Sequence, residues 1–261
     1  MKHIIPLGVR DYLPEDYQKK SKTVQKAVTL FEENGYLPVA TPMFEYWSTI
    51  EPLCSELLKD RVVKFINSKG EIIALRPDHT IGISRLASTW LKEHAKPLKL
   101  YYADPIYRLD PISGETERFQ LGVENIGNTG VDAEATLIQT CTESLSALGL
   151  TDICIEINHT ETLNGYSQSI QEGFKSRNYT TLNQYPKRCP LSEIPKEHPL
   201  SELKKQLETK SIKAELYFNE SIQTTTQYYN GFFFECCIKN KGKKIGNGGR
   251  DDKLLENFDH Q

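Results

Sequence analysis

The sequence predicts an α+β fold in which helices flank a mainly antiparallel sheet. Helix-like and strand-like segments are mixed along the chain without the strict alternation that produces a parallel sheet. Turn signals that join neighbouring strands recur, as at residues 67–70 and 240–242. The chain has 261 residues, of which 38% are hydrophobic, so it can bury the core of one large domain.

Four segments are predicted to be helical, and in the first and third of them apolar residues recur at helical spacing. Gly35 is expected to end the first helix and Gly149 the third, because glycine readily adopts the conformation that terminates a helix. Asp132 is the expected N-cap of the third helix, since its side chain can accept a hydrogen bond from a free backbone N–H. The predicted helices are residues 14–35, 80–94, 132–149 and 251–258.

Short runs rich in aromatic and β-branched residues, bounded by turn signals, predict the strands. They are residues 37–41, two strands within 61–75, and residues 98–107, 119–126, 153–157, 214–218, 228–238 and 243–245. Residues 159–212 are polar and contain a proline-rich break, so we expect them to form a small helical insertion. The predicted organisation is therefore one core over residues 1–261, interrupted by that insertion.

Charge and cysteine content argue against several functional classes. The chain has 32 basic and 35 acidic side chains and a net charge of −3, whereas nucleic-acid-binding proteins usually have a basic excess or a basic face. None of the six cysteines forms a C-x-x-C pair, so no zinc site or redox motif is predicted. No run approaches the roughly 18 apolar residues of a membrane span, and no signal-peptide core follows the N-terminus. We therefore expect a cytoplasmic protein without a metal or other cofactor.

The segment with the most informative chemistry is a strand, a polar loop and a returning strand. Arg108 ends the first strand, where its guanidinium can hold a carboxylate or a phosphate. Gln120 and Glu124 share one face of the second strand, with Gly122 between them. A glutamine and a carboxylate on one face can bind an amine or an imidazole. Spacing alone favours a plainer interpretation, an amphipathic hairpin with one polar face.

This segment resembles motif 2 of the class II aminoacyl-tRNA synthetases in its histidyl form. Other blocks agree in the same order and span nearly the whole chain, from a G-x-R-D opening to two histidine-specific motifs. The matching blocks are residues 7–14, the motif 1 region 35–45, residues 74–80, the motif 2 region 101–127, and residues 228–232 and 247–252. The chain is similar to the histidyl-tRNA synthetase catalytic core, which implies an antiparallel sheet flanked by helices.

The resemblance implies a pocket for histidine. Its members would be Asp78, Thr80, Arg108, Gln120, Glu124, Tyr228 and Tyr229. Asp78 and Thr80 match positions that hold the amino group of histidine, whereas Glu124 and Tyr229 match positions that recognise the imidazole. Arg108 matches the arginine that holds the amino-acid carboxylate and the α-phosphate of ATP. Cross-strand aromatic packing is the alternative role for one of the two tyrosines.

Departures from the synthetase pattern argue against aminoacylation. Residues 224–227 read Thr-Thr-Thr-Gln where the family carries an arginine that stabilises negative charge during adenylation. Losing one such contact lowers a rate by on the order of a hundredfold or more. The motif 2 loop is short and acidic, with Arg118 its only basic side chain, and acidic groups repel a triphosphate. The motif 3 segment and the anticodon-binding domain are also expected to be absent.

One branch of the family shares these departures, namely the regulatory subunits of ATP phosphoribosyltransferase, which serves the first step of histidine biosynthesis. The resemblance implies a non-catalytic subunit that forms a homodimer, with Pro42 at the interface. Within a hetero-oligomer it would activate the short-form catalytic subunit and mediate allosteric feedback inhibition by histidine, without binding tRNA or a membrane. Two alternatives are a synthetase-like enzyme that adenylates histidine or a similar amino acid, and a stand-alone histidine sensor.

Overall fold

A computed structural model of the chain describes residues 5–176, 186–222, 229–239, 241–256 and 258. These residues form two compact units. The first comprises residues 5–128, 254–256 and 258, and the second comprises residues 129–176, 186–222, 229–239 and 241–253. Among the described helices, none combines the length and the apolar character needed to cross a membrane.

The first unit contains two small sheets. Its strands are β1 (Leu37–Pro38), β2 (Phe44–Tyr46), β3 (Lys64–Ile66), β4 (Ile72–Leu75), β5 (Leu98–Tyr107) and β6 (Glu117–Ile126). Its helices are α1 (Pro14–Glu33), α2 (Trp47–Ile50), α3 (Glu56–Lys59) and α4 (His79–Ser88). One sheet has the order β1–β5–β6, with β1 parallel to β5 and β5 antiparallel to β6. The other has the order β2–β4–β3 and is antiparallel throughout.

A long hairpin made of β5 and β6 is the centre of the first unit. The two strands pair from Leu98 opposite Ile126 to Tyr107 opposite Glu117. Helix α1 buries Phe31, whose ring centroid lies 5.8 Å from that of Tyr101 on β5. The hairpin is therefore covered by α1 and can hold side chains on β6 in fixed positions.

The second unit contains one five-stranded sheet. Its strands are β7 (Ile153–His159), β8 (Arg188–Pro190), β9 (Glu215–Asn219), β10 (Phe232–Ile238) and β11 (Lys243–Gly249). Its helices are α5 (Val131–Ala147), α6 (Gln168–Ser176) and α7 (Ser201–Glu208), and α8 (Asp252–Glu256) follows β11. The strand order is β11–β10–β7–β9–β8, in which only β7 and β9 run parallel.

The core of the second unit forms around β7. Ile155 and Ile157 of this strand are 0% exposed, and α5 adds the fully buried Ile138. Helix α7 contributes Leu203 and Leu207, which are four residues apart and therefore lie on one helix face. Burial of these aliphatic side chains is the main favourable term in the stability of the unit.

The predicted α+β class is confirmed, whereas several details of the prediction were wrong. The described strands form three sheets rather than one, and two of the strand pairs are parallel. Asp132 is not an N-cap, because α5 begins one residue earlier, after Gly130. The φ of Gly130 is 112°, a value that glycine adopts far more readily than other residues. Helix α4 ends at Ser88 rather than at residue 94, because Thr89 leaves helical backbone angles.

Residues 159–212 contribute to the second unit wherever the structure describes them. Strand β8 pairs with β9, and α7 packs into the core described above. That these residues are an insertion into a synthetase-like core stays a prediction. Residues 224–228, which include the predicted site residue Tyr228, lie outside the described residues.

Candidate functional site

The start of α4 lies against the polar face of β6. The Asp78 carboxylate caps the helix, because its Oδ1 accepts a hydrogen bond from the Thr80 backbone N–H at 2.8 Å. The Thr80 hydroxyl donates to Oε1 of Glu124 at 2.7 Å. Three predicted site residues are therefore adjacent, although Thr80 and Glu124 are 44 positions apart in the chain.

A tyrosine side chain lies against Gly122, between Gln120 and Glu124 on β6. Gly122 pairs with Tyr102 of β5, and a Cβ atom at Gly122 would lie 2.2 Å from the Tyr102 hydroxyl oxygen. The phenol ring therefore occupies the space that any larger residue at position 122 would need. Within the described ranges, the buried Oε1 of Gln120 has no hydrogen-bond partner. An unpaired buried acceptor is unfavourable, so a ligand N–H at this position would be stabilising.

Two residues that the sequence did not single out hold this site in place. His79 is 1% exposed, stacks on Tyr102 with ring centroids 4.3 Å apart, and donates from Nε2 to the Asp104 carbonyl at 3.1 Å. Arg76 is also buried and donates to the backbone carbonyls of Thr41 at 2.7 Å and Pro105 at 2.9 Å. Both belong to the block 74–80 that resembles the family, but nothing in that block indicates their partners.

Arg108 faces an acidic partner. Its Nη1 lies 3.8 Å from Oδ2 of Asp78, so part of its charge is already compensated. At the start of β6, Arg118 donates to Asp110 and lies 3.5 Å from Glu115, both of which belong to the preceding loop. The Arg118 guanidinium, together with backbone N–H groups, holds the pKa of Asp110 well below its usual range. Arg118, predicted to lie in the loop, is the second residue of β6, and it is engaged by these two acidic neighbours.

Tyr229 and Pro42 are the other predicted residues that the structure describes. Tyr229 belongs to the second unit, where its hydroxyl accepts a hydrogen bond from Asn247 Nδ2 at 3.4 Å. Its ring is parallel to that of Phe233, with centroids 6.3 Å apart. Pro42 is exposed just before β2. The part of the chain that the structure describes contains no group of three or more His, Cys, Asp or Glu that could hold a metal ion.

The buried His79 gives a prediction for pH dependence. Burial lowers the pKa of the His79 imidazole below its ordinary value of about 6.5. As the pH falls below that value, the unfolded chain binds a proton that the folded chain does not, so stability is lost. We expect the melting temperature of the wild type to fall more steeply than that of His79→Gln between about pH 7 and pH 5. Equal slopes in thermal melts of the two proteins would contradict this role for His79.

Comparison with known proteins identifies the family. The model of the histidyl-tRNA synthetase family matches residues 8–184. The ATP phosphoribosyltransferase regulatory subunit of Caldanaerobacter subterraneus subsp. tengcongensis is 31% identical, over 97% of this chain and 76% of that protein. The chain belongs to this histidyl-tRNA synthetase-like family of ATP phosphoribosyltransferase regulatory subunits. The corresponding subunit of Alkaliphilus metalliredigens is 29% identical over 98% of the chain and 76% of its own length.

Solved structures agree with this family and confirm the synthetase-like fold. A Bacillus halodurans protein described as an ATP phosphoribosyltransferase regulatory subunit/histidyl-tRNA synthetase superposes with a TM-score of 0.86 at 26% identity. The match covers 100% of this chain and 79% of that one. The apo histidyl-tRNA synthetase of S. aureus superposes with a TM-score of 0.68 at 22% identity, over 98% of this chain and 64% of that one. This second likeness shows the fold alone.

Proposed function

We propose that the chain is a non-catalytic regulatory subunit that activates a short-form catalytic ATP phosphoribosyltransferase and transmits feedback inhibition by histidine. The observation that carries this proposal is the match to relatives named as regulatory subunits, which extends over 97% of the chain. The partner is then the catalytic subunit, and the effector is histidine. A cytoplasmic location and the absence of tRNA binding belong to the same proposal, and the net charge of −3 agrees with the absence of tRNA binding.

The site on β6 supports histidine as the ligand. The unpaired Oε1 of Gln120 would accept a hydrogen bond from an amino group, and the Glu124 carboxylate, oriented by Thr80, would accept one from the imidazole. The Asp78 carboxylate would add a favourable charge for a ligand ammonium. Arg108, whose Nη1 is 3.8 Å from Asp78, would hold the ligand carboxylate. Tyr228 and Tyr229 are proposed as further ligand contacts on the basis of the resemblance.

The motif 2 loop supports a role without adenylation. ATP binding at such a loop requires positive charge directed at the phosphates. Here Arg118 is held by Asp110 and Glu115, and the loop acids would repel a triphosphate. A synthetase-like enzyme predicts histidine-dependent exchange of pyrophosphate into ATP, whereas a regulatory subunit predicts none.

Exposed apolar residues near motif 1 support a homodimer. They lie on or beside the β2–β4–β3 sheet and follow Pro42 in sequence. The members are Met43, Phe44, Tyr46, Phe65, Ile66 and Ile72, with exposures of 39 to 72%. A cluster of this kind marks an interaction surface more often than a solvated face. A second copy of the chain, related by a two-fold axis, would cover it.

Glu124→Gln is expected to weaken histidine binding by about tenfold or more, because it removes the charge of the acceptor that faces the imidazole. The measurement is isothermal titration calorimetry with the purified chain. Glu117→Gln is a matched control, since Glu117 is an exposed carboxylate at the start of the same strand. An unchanged affinity in Glu124→Gln would exclude this site for histidine.

A direct test of the proposed function is complex formation. Sedimentation velocity of the chain, the short catalytic subunit from the same organism, and their mixture should show a species heavier than either alone. Pyrophosphate exchange measured on the same preparation should remain at background. Exchange that depends on histidine, with no heavier species on mixing, would favour the synthetase-like alternative. Histidine binding with neither exchange nor a heavier species would favour the stand-alone sensor.

A further inference from the structure

The second unit contains a small cleft, none of whose lining residues belongs to the site on β6. Its volume is about 240 Å³. The walls come from the segments that follow β7 and β9, from the residue before β8, and from the chain leading into α7. The lining residues used below are Glu161, Thr162, Lys187, His198, Phe218 and Glu220. Since one water occupies about 30 Å³ of liquid, the cleft can take a solute about eight waters in size.

One wall of the cleft is apolar and closely packed. Phe218 is 2% exposed, and the His198 ring meets it edge-on with centroids 4.5 Å apart. Ile194, Pro195 and Pro199 complete this wall. Such a surface favours an aliphatic group of modest size, because filling it removes apolar area from water.

The cleft is also lined by two exposed side chains of opposite charge, Lys187 and Glu161. Among the described residues, neither the Lys187 ammonium nor the Glu161 carboxylate forms a salt bridge. The Glu220 carboxylate, in contrast, is hydrogen-bonded within the unit. Its oxygens accept hydrogen bonds from the Tyr166 hydroxyl at 2.9 Å and from the Lys187 backbone N–H at 2.7 Å. Glu220 therefore holds the wall together, whereas Lys187 and Glu161 have no salt-bridge partner in the described ranges that would compete with a ligand.

Two neutral polar groups add to the recognition surface. The Thr162 Oγ1 atom is buried without a hydrogen-bond partner in the part of the chain that the structure describes. His198 accepts a hydrogen bond at Nδ1 from the Leu200 backbone N–H at 3.2 Å, so in the neutral ring Nε2 carries the proton. Burial lowers the pKa of this imidazole, which keeps the ring neutral at physiological pH. Thr162 and His198 can thus hydrogen-bond a ligand without adding charge.

We propose that this cleft binds a free α-amino acid with an aliphatic side chain. The ligand carboxylate pairs with Lys187, and the ligand ammonium pairs with Glu161. The Thr162 hydroxyl and His198 Nε2–H donate to the carboxylate, and the side chain packs against Phe218. The Glu220 carboxylate already accepts two hydrogen bonds, so the remaining charged side chains, Lys187 and Glu161, have opposite sign and favour a zwitterion over a simple anion or cation. This site is independent of the histidine site proposed on β6.

Isothermal titration calorimetry of the full chain with leucine tests the proposal. We expect saturable binding, and binding weaker by about tenfold or more for isopentylamine, which lacks the carboxylate, and for 4-methylpentanoate, which lacks the ammonium. Lys187→Met and Glu161→Gln should each weaken leucine binding to a similar degree. Lys241→Met and Glu202→Gln, at exposed positions outside the cleft, should leave the affinity unchanged.

A second measurement requires no change to the cleft. Addition of leucine should shift the nuclear magnetic resonance signals of the His198 ring protons, and it should do so equally in Glu124→Gln. Absence of both heat and shift at millimolar leucine would overturn the proposal. Wild-type affinity for leucine in both Lys187→Met and Glu161→Gln would also overturn it. The same holds if isopentylamine or 4-methylpentanoate binds as tightly as leucine. A shift lost only in Glu124→Gln would place leucine in the β6 site instead and also overturn it.

Discussion

Ile155→Ala is expected to lower the free energy of unfolding of the second unit by about 2–5 kcal/mol. Ile155 is 0% exposed and lies in β7, between Cys236 of β10 and Leu216 of β9. Removing three carbon atoms from a site enclosed on both sides leaves a cavity that rigid neighbouring strands cannot fill. The effect is large compared with the total stability of a typical domain.

Urea unfolding followed by circular dichroism would measure the effect of Ile155→Ala. Ile112→Ala is the matched control, because Ile112 is 96% exposed in the loop before β6. The control should stay within about 0.5 kcal/mol of the wild type. Similar unfolding midpoints for the two variants would show that β7 does not form the core described.

Arg76→Met is expected to lower the free energy of unfolding of the first unit by about 2–4 kcal/mol. Together with Ile155→Ala, it is one of the two largest effects that we expect. The buried guanidinium donates to the Thr41 and Pro105 carbonyls and lies 3.7 Å from the Asp104 carboxylate. Methionine fills much of the same volume but donates nothing, so buried acceptors lose their partners. Because Arg76 precedes the segment that carries Asp78 and Thr80, the variant should also bind histidine more weakly.

Two readouts check the Arg76 prediction, namely the urea midpoint and the histidine affinity measured calorimetrically. Arg188→Met provides the comparison, because Arg188 is a half-exposed arginine that pairs with Glu156 at 2.8 Å. Surface ion pairs contribute at most about 1 kcal/mol, so this variant should stay close to the wild type and keep its histidine affinity. A normal affinity in Arg76→Met would show that Arg76 does not position the start of α4.

Local sequence patterns predicted the elements whose signals are strong. Strand β5 was predicted at residues 98–107, and the structure places it at Leu98–Tyr107. Helix α1 was predicted at 14–35 and ends two residues earlier, where Asn34 and Gly35 turn the chain. Both segments are long and are bounded by residues that end a strand or a helix. Local sequence therefore sets where they begin and end, and tertiary contacts shift these ends little.

The predictions were wrong in two situations. One is strand pairing between residues distant in sequence, and the other is a helix start that is set by backbone conformation rather than by a capping residue. The grouping of strands into three sheets depends on pairings such as β7 with β9, which periodicity does not encode. The start of α5 moved because Gly130 adopts a positive φ, and Asp132 then falls in the first turn of the helix. A good capping residue in the sequence is therefore not sufficient to define where a helix begins.

Part of the candidate site was also accessible from the sequence. Gln120 and Glu124 follow from the two-residue period of β6, and Gly122 between them is the signal for a close approach. The hydrogen bond from Thr80 to Glu124 and the stack of His79 on Tyr102 each join distant positions. Only the fold brings these partners together, so no local pattern could have predicted them.

The proposed coupling between histidine and the catalytic subunit would have to be reciprocal. If histidine reverses activation by favouring one arrangement of the complex, the catalytic subunit must change histidine affinity by the same factor. Allosteric couplings of this kind are typically about 5- to 150-fold. Calorimetric titration of histidine into the chain, with and without the catalytic subunit, would reveal that factor.

The most direct test of the regulatory role is the steady-state rate of phosphoribosyl transfer from phosphoribosyl pyrophosphate to ATP. The short catalytic subunit from the same organism would be titrated with the purified chain, with and without histidine. We predict a saturable rise in rate that histidine reverses and that Glu124→Gln makes less sensitive to histidine. A rate that stays at the level of the catalytic subunit alone, at chain concentrations well above that of the enzyme, would contradict a regulatory function.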